Sequence, residues 1–263
     1  MIILLSPTKK IDFTPSFPKV YSIETPPFRK EYEELNHQLQ GFSREKLASL
    51  MGTSQKLANL SYSYIQDSFS GTAPVKPALF TYSGTVFKAL NPGSLGDGPL
   101  RFARKHVRIL SGQYGILSPS SGISPYRLEM KTPLKLPGNK SLTSFWKPRI
   151  SEYLSDEPLI LNMASGEYSA VVDKQRLNGD FITFHFKERK GGKLRTVGMY
   201  AKTARGLMLR RILGEMIIDL RILQQGETAG YRYDENLSTD SNWVFVREHI
   251  GGNQSTALIS PGN

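Results

Sequence analysis

The sequence predicts an α/β fold: a single domain over residues 1–250, a mixed, largely parallel sheet flanked by helices, with an inserted helix-hairpin-helix at about residues 43–65. Three observations carry this. Short apolar runs without polar alternation recur along the chain and end in small polar residues, as strands covered on both faces do. Helical stretches separate several of them. A single Gly-Gly turn joins the one pair of segments that reads as an antiparallel hairpin.

In chain order, Ile2–Leu5 runs into Ser6-Pro7-Thr8-Lys9-Lys10 and reads as the first strand. Pro15, Pro18, Pro26 and Pro27 make the segment between Thr14 and Phe28 an irregular surface wrap. Arg29–Leu39 is helical in pattern. A helix from Ser43 should stop at Gly52, the residue tolerant of positive φ. Thr53 or Ser54 then caps a second helix with Leu57, Leu60 and Tyr64 as its apolar stripe. Ala78–Tyr82, Val107–Leu110 and Leu159–Met163 read as further strands, each followed by Ser or Ala with Gly. Pro99–Lys105 and Leu142–Leu154 read as helices. Phe181–Lys187 and Lys193–Tyr200 flank the turn Glu188–Gly192; a helix from Thr203 to Leu213 and a strand Trp243–Arg247 follow. Residues 251–263 read as a flexible tail.

Composition removes several kinds of chemistry. Among 263 residues there is no cysteine, so disulfides, thiolate nucleophiles and thiol-based peroxide sensing are excluded. His37, His106, His185 and His249 are scattered singly, without metal-ligand spacing, so neither a metal nor another cofactor is expected. No apolar run approaches the roughly 20 residues that span a bilayer. Met1–Leu5 is too short for a signal peptide. The expectation is a cytoplasmic, monomeric protein without membrane contact.

Charge points to a partner. Lys and Arg number 34 against 23 Asp and Glu, a net +11 with a pI near 9.7. Such a field attracts polyanions, nucleic acid first. Between Lys187 and Arg211 there are nine basic residues, Lys193, Arg195, Lys202 and Arg205 among them, and one acid, Glu188.

Two places could carry chemistry. Ligands of open parallel sheets gather at the strands' carboxyl ends, where this sequence puts Gly with Ser or Thr. Lys9 and Lys10 add charge there. Tyr126, Arg127 and Glu129, with Glu167 and Tyr168, offer rings, a guanidinium and carboxylates suited to a small nucleotide-like ligand. These five are also the candidate catalytic set, should the protein act on a nucleobase or nucleoside; strand-end Ser and Gly serve equally as plain turn residues. The second place is the turn Gly52-Thr53-Ser54 with Lys56, where helix amides can hold a DNA phosphate without reading sequence. An ordinary αα-corner carries the same pattern. Lys202-Thr203-Ala204-Arg205-Gly206 reads as charge for phosphates or a solvated helix start.

The whole chain resembles the YaaA peroxide-stress family of bacterial proteins. Leu5–Asp12, Arg108–Leu117, Pro125–Met130, Ser144–Trp146, Asn162–Tyr168 and Tyr200–Met208 carry the resemblance. It implies an unusual single-domain α/β fold with a helix-hairpin-helix, mapped onto Leu50, Met51, Gly52, Thr53, Ser54 and Lys56, and a basic cleft. It also implies DNA binding and protection from peroxide damage, with no catalytic activity to carry over. The sequence departs from the family pattern at Gly166, where an acidic residue is expected.

Overall fold

A computed structural model describes residues 1–19 and 21–249; the tail expected at 251–263 lies outside the described residues. Nine strands form one sheet: β1 (Ile2–Leu5), β2 (Val107–Ser111), β3 (Gly115–Leu117), β4 (Leu159–Asn162), β5 (Asp180–Lys190), β6 (Lys193–Arg195), β7 (Glu227–Thr228), β8 (Tyr231–Tyr233) and β9 (Asn242–Glu248). Their order is β3-β2-β1-β4-β5-β9-β8-β7, with β6 paired to β5. The five central strands β2, β1, β4, β5 and β9 are mutually parallel, and the edges are antiparallel. The domain is thus a single α/β unit with a mixed, largely parallel sheet.

Among the described residues nine helices accompany it: α1 (Arg29–Gln40), α2 (Arg44–Met51), α3 (Gln55–Ser70), α4 (Thr85–Leu90), α5 (Asp97–His106), α6 (Leu142–Leu154), α7 (Gly166–Ser169), α8 (Gly198–Gly214) and α9 (Arg221–Gln225). Alternate residues of β1 enter different cores. Ile3 and Leu5 join Val107, Ile109, Leu161 and Phe184 under α4, α5 and α8, whereas Ile2 and Leu4 join Leu110 and Ile160 under α1, α3 and α6. Burial on both faces is why these strands lack polar alternation.

Three expectations need correction. Ala78–Tyr82 is not a strand: Ala78–Phe80 is a turn of 3₁₀ helix. Its apolar run is buried as a plug, with the Ala78 and Leu79 amides donating to Ser121 and Pro119 carbonyls. The segment Lys193–Tyr200 stays extended only to Arg195, and α8 begins at Gly198 rather than Thr203. On α3 the buried face is Ala58, Ser61 and Ile65, while Leu60 is 41% exposed. Small residues face inward there because α3 packs against both α1 and α2.

Gly206, inside a motif that reads as charged and exposed, is a packing residue. A Cβ there would stand 2.3 Å from the Val86 carbonyl oxygen and 2.7 Å from Ala89 Cβ, so α8 lies on α4 only because the side chain is absent. Gly206→Ala should destabilise the protein by about 1–3 kcal/mol in urea unfolding, overpacking outweighing a helix-propensity gain of about 1 kcal/mol. Gly214→Ala in the same helix meets nothing within 4 Å and should cost nothing. Equal midpoints for the two variants would refute the close-packing account.

Candidate functional site

Parallel alignment brings the carboxyl ends of β2, β1 and β4 side by side. The Ser165 amide donates to Ser6 Oγ at 2.8 Å and the two hydroxyls lie 3.2 Å apart, tying together strand ends 159 residues apart in sequence. After β2, the Ser111 hydroxyl accepts the Gln113 and Tyr114 amides and donates to the Tyr126 hydroxyl at 2.8 Å. Tyr126 OH also meets Tyr82 OH at 2.7 Å. A Cβ on Gly112 would lie 2.5 Å from the Leu128 carbonyl oxygen. Only glycine lets the segment from Pro125 to Met130 lie across the strand ends.

That segment divides its side chains between two depths. Tyr126 turns inward among Tyr82, Tyr114 and Tyr168. Burial pushes the Tyr126 phenol up to about 12 and raises those of Tyr82, Tyr114 and Tyr168 well above the ordinary tyrosine value. Glu129 turns outward, with Lys9 Nζ at 2.7 Å and Lys131 Nζ at 3.7 Å. Glu167 accepts the Lys131 amide at 3.4 Å. Arg127 has no hydrogen bond or ion pair among the described residues.

Two connected spaces result. A chamber of about 470 Å³ is lined by Lys9, Arg127 and Glu129 on one side and by Ser49–Thr53, the end of α2 and its turn, on the other. A recess of about 10 Å³ shares Met51 and Arg127 with it and runs inward between Tyr32, Asn36, Gln113 and Tyr126. Sequence reasoning missed Asn36 and Gln113. The available signal was Asn36 itself, a polar residue on the buried Leu35–Leu39 face of α1.

In the α2–α3 turn, Gly52 adopts φ 55° and ψ 46°. The amides of Gly52 and Thr53 donate back to Ala48 and Ser49 carbonyls, closing α2. They are therefore spent, although the sequence offers both as phosphate donors. Ser54 occupies the N-cap of α3 but its hydroxyl makes no capping bond, unlike Ser43 on α2, which accepts from the Lys46 amide. Among the described residues the amides of Ser54, Gln55, Lys56 and Leu57 have no acceptor.

The basic stretch is less uniform than its sequence suggests. Arg189 pairs with Asp234 and Glu248, Arg210 holds the Leu90 and Asn91 carbonyls at the end of α4, and Arg211 pairs with Glu215. Arg205 is largely buried, which lowers its pKa, and its Nε has no partner among the described residues. Lys193, Arg195 and Lys202 remain exposed without ion pairs among the described residues, as does Lys10. Lys193 and Arg195 sit near the tip of an arm. β4 stops at Asn162, opposite Thr183, while β5 continues to Lys190, roughly 20 Å further at strand rise. Within β5, where it pairs with Arg195 of β6, Glu188 is 1% exposed and accepts from Arg247 Nε at 2.7 Å and from the Tyr231 hydroxyl, with His249 Nδ1 at 3.2 Å.

No helix among the described residues is long and apolar enough to cross a membrane. A family model described as peroxide stress protein YaaA matches residues 1–237. A UPF0246 protein of Crocosphaera subtropica is 40% identical over 253 residues, covering 94% of this chain and all of the relative. Those of Caulobacter vibrioides and Legionella pneumophila are 37% and 35% identical over 94% and 95% of the chain, spanning 99% and 100% of their own lengths.

The buried phenols make stability sensitive to alkali. Each is neutral when protonated, and its folded pKa exceeds the unfolded value of about 10. Their stabilisation is thus complete below about pH 10 and is lost as pH rises through the folded values, at about 1.4 kcal/mol per pH unit for each group. Absorbance at 295 nm should show Tyr82, Tyr114, Tyr126 and Tyr168 ionising only together with unfolding. Reversible ionisation of all 12 tyrosines in the folded chain near pH 10 would contradict their burial.

Proposed function

The chain belongs to the peroxide stress protein YaaA family, and on that premise we propose that it is a DNA-binding protein of the peroxide-stress response that limits oxidative damage to DNA. In this reading it grips backbone phosphates through α2 and α3, acting as a helix-hairpin-helix, and through the basic edge around them. The observation that supports this most directly is the uncapped start of α3. Four amides without acceptors and the positive end of a 16-residue helix follow a glycine turn, with Lys56 in the first turn. Lys9, Lys10 and Lys202, with Lys193 and Arg195 on the β5–β6 arm, add charge along the strands' carboxyl side. Arg205, partly buried and with its Nε unpartnered among the described residues, belongs to the same basic stretch. The donors are amides, Lys and Arg rather than a base-reading helix, so affinity is electrostatic and largely independent of sequence. With no thiol in the chain, protection runs through the DNA and not through a cysteine sensor.

About six phosphate contacts give a log–log salt slope near −5, a loss of roughly a thousandfold between about 50 and 200 mM salt. Lys56→Glu should weaken duplex binding several-fold while circular dichroism is unchanged. Gly52→Val should do the same through the turn, since φ 55° is strained for a branched residue even though the space around it is open. Lys193→Glu with Arg195→Glu tests the arm separately, and its loss should add to that of Lys56→Glu if the two touch different phosphates. Parental affinity for both hairpin variants across the salt series would reduce α2–α3 to a structural corner.

A further inference from the structure

Helix α8 carries a charged residue in the middle of the face it buries. Ala201 and Ala204 precede Arg205 on that face, Met208, Leu209 and Ile212 follow it, and all five are buried. At about 100° per residue this places Arg205 at the centre of the inward stripe. Arg210 and Arg211, on the flanks, hold main-chain carbonyls and Glu215. Arg205 has no hydrogen bond or ion pair among the described residues, and its Nε is cut off from solvent. Burial lowers its pKa, and no neighbouring carboxylate raises it. A charge set among apolar side chains without a counter-ion is more costly than an unpaired neutral group.

The packing of α8 decides where that charge faces. Gly206 rests on Val86 and Arg210 on the Leu90 carbonyl, so α8 runs parallel to α4. The start of α4 lies at the strands' carboxyl edge, because Gly84 packs on Thr8, just beyond the end of β1. Long side chains on a helix lean toward its N-terminus. The Arg205 guanidinium is therefore directed toward the carboxyl ends of β1 and β4, where the hydroxyls of Ser6 and Ser165 already meet. Arg205 is partly exposed, so its Nε side is sealed while its terminal nitrogens stay open. Lys202, one turn nearer the edge on the same helix, is exposed and has no ion pair among the described residues.

A guanidinium carries only donors and keeps its charge, so its partner must accept hydrogen bonds. A neutral carbonyl would satisfy a donor and leave the charge uncompensated. Two parallel N–H groups match two oxygens of an oxyanion, and nearby lysine favours the doubly charged kind. We propose that the carboxyl ends of β1 and β4 form an oxyanion site for a phosphoryl group, with Arg205 as its counter-ion. The site is independent of the hairpin, since α8 covers the opposite face of the sheet from α3. A free phosphate and a backbone phosphate of DNA share this chemistry, and the test separates them.

Thermal melts and isothermal titration with inorganic phosphate test it, against sodium chloride at equal ionic strength. Phosphate raises melting temperatures generally, by exclusion from protein surfaces, so the readout is the difference between the parent and its Arg205 variants. In chloride, Arg205→Met should melt at or above the parent's temperature, because an unpaired buried charge has been removed. In phosphate the parent should gain more than Arg205→Met or Arg205→Gln, whose phosphate affinity should fall about tenfold or more. The Gln variant keeps a polar group, so the phosphate readout does not depend on one substitution. Equal phosphate gains in the parent and both variants overturn the site. Melting of Arg205→Met far below the parent in chloride also overturns it, by showing the charge already compensated. Repeating the titration on the parent with saturating duplex identifies the source. Phosphate that still binds assigns the site to a free oxyanion, and phosphate displaced by the duplex assigns it to the backbone; both support the site.

Discussion

The parallel alignment of β2, β1, β4 and β5 is the constraint on which the rest of the molecule depends. Because β1, β2 and β4 are largely buried on both faces and β5 joins them in parallel, helical crossovers return the chain to the same edge, and these carboxyl ends open on one side. Residues as distant as Ser6 and Ser165 thereby share a hydrogen bond. The tyrosine cluster, the Lys9–Glu129 pair and the turn after α2 then meet over that edge. Gly112 is the hinge of this assembly, since any side chain there would collide with the backbone of the segment that carries Arg127 and Glu129.

Charge on this protein is partly structural. Arg189, Arg210 and Arg211 fall in the most basic part of the sequence, yet each is engaged in holding one element to another. The buried Glu188 has the same character. It closes a network with Arg247, Tyr231 and His249 at the root of the β5–β6 arm, so removing either member of the Glu188–Arg247 pair would strand a buried charge. Lys193, Arg195 and Lys202 owe no such contact. A net charge counted from sequence therefore overstates what is available to a polyanion, and the arm's rigidity comes from the ions that are not available.

Legibility in the sequence followed the length and isolation of each signal. β1, β2, β4 and β9 are readable because three or four apolar residues in each are bounded by polar and turn residues, and α6 is readable from Leu142 to Leu154. Ala78–Tyr82 carries the same signal but is held by the Ser118–Ser121 loop, so composition reported burial and not conformation. The stripe on α3 was misread because propensity ranks Leu57 and Leu60 as core, whereas tight helix–helix approach selects Ala58 and Ser61. At the site, the charged and aromatic residues stood out by type. Asn36 and Gln113 did not, since amides are common on surfaces and only their low exposure in the folded chain distinguishes them.

These two groups of residues, legible and hidden, line two neighbouring spaces that have Met51 and Arg127 in common. Lys9, Glu129 and Lys131 form the chamber's outer rim and already satisfy one another, which keeps the Glu129 carboxylate from repelling an approaching phosphate. Arg127 lines both spaces and has no hydrogen bond or ion pair among the described residues, and Asn36 and Gln113 line the recess. The buried tyrosines give the inner wall its stiffness: Tyr126 is bonded to Ser111 and Tyr82, and Tyr114 is stacked on Tyr32 with ring centroids 4.4 Å apart.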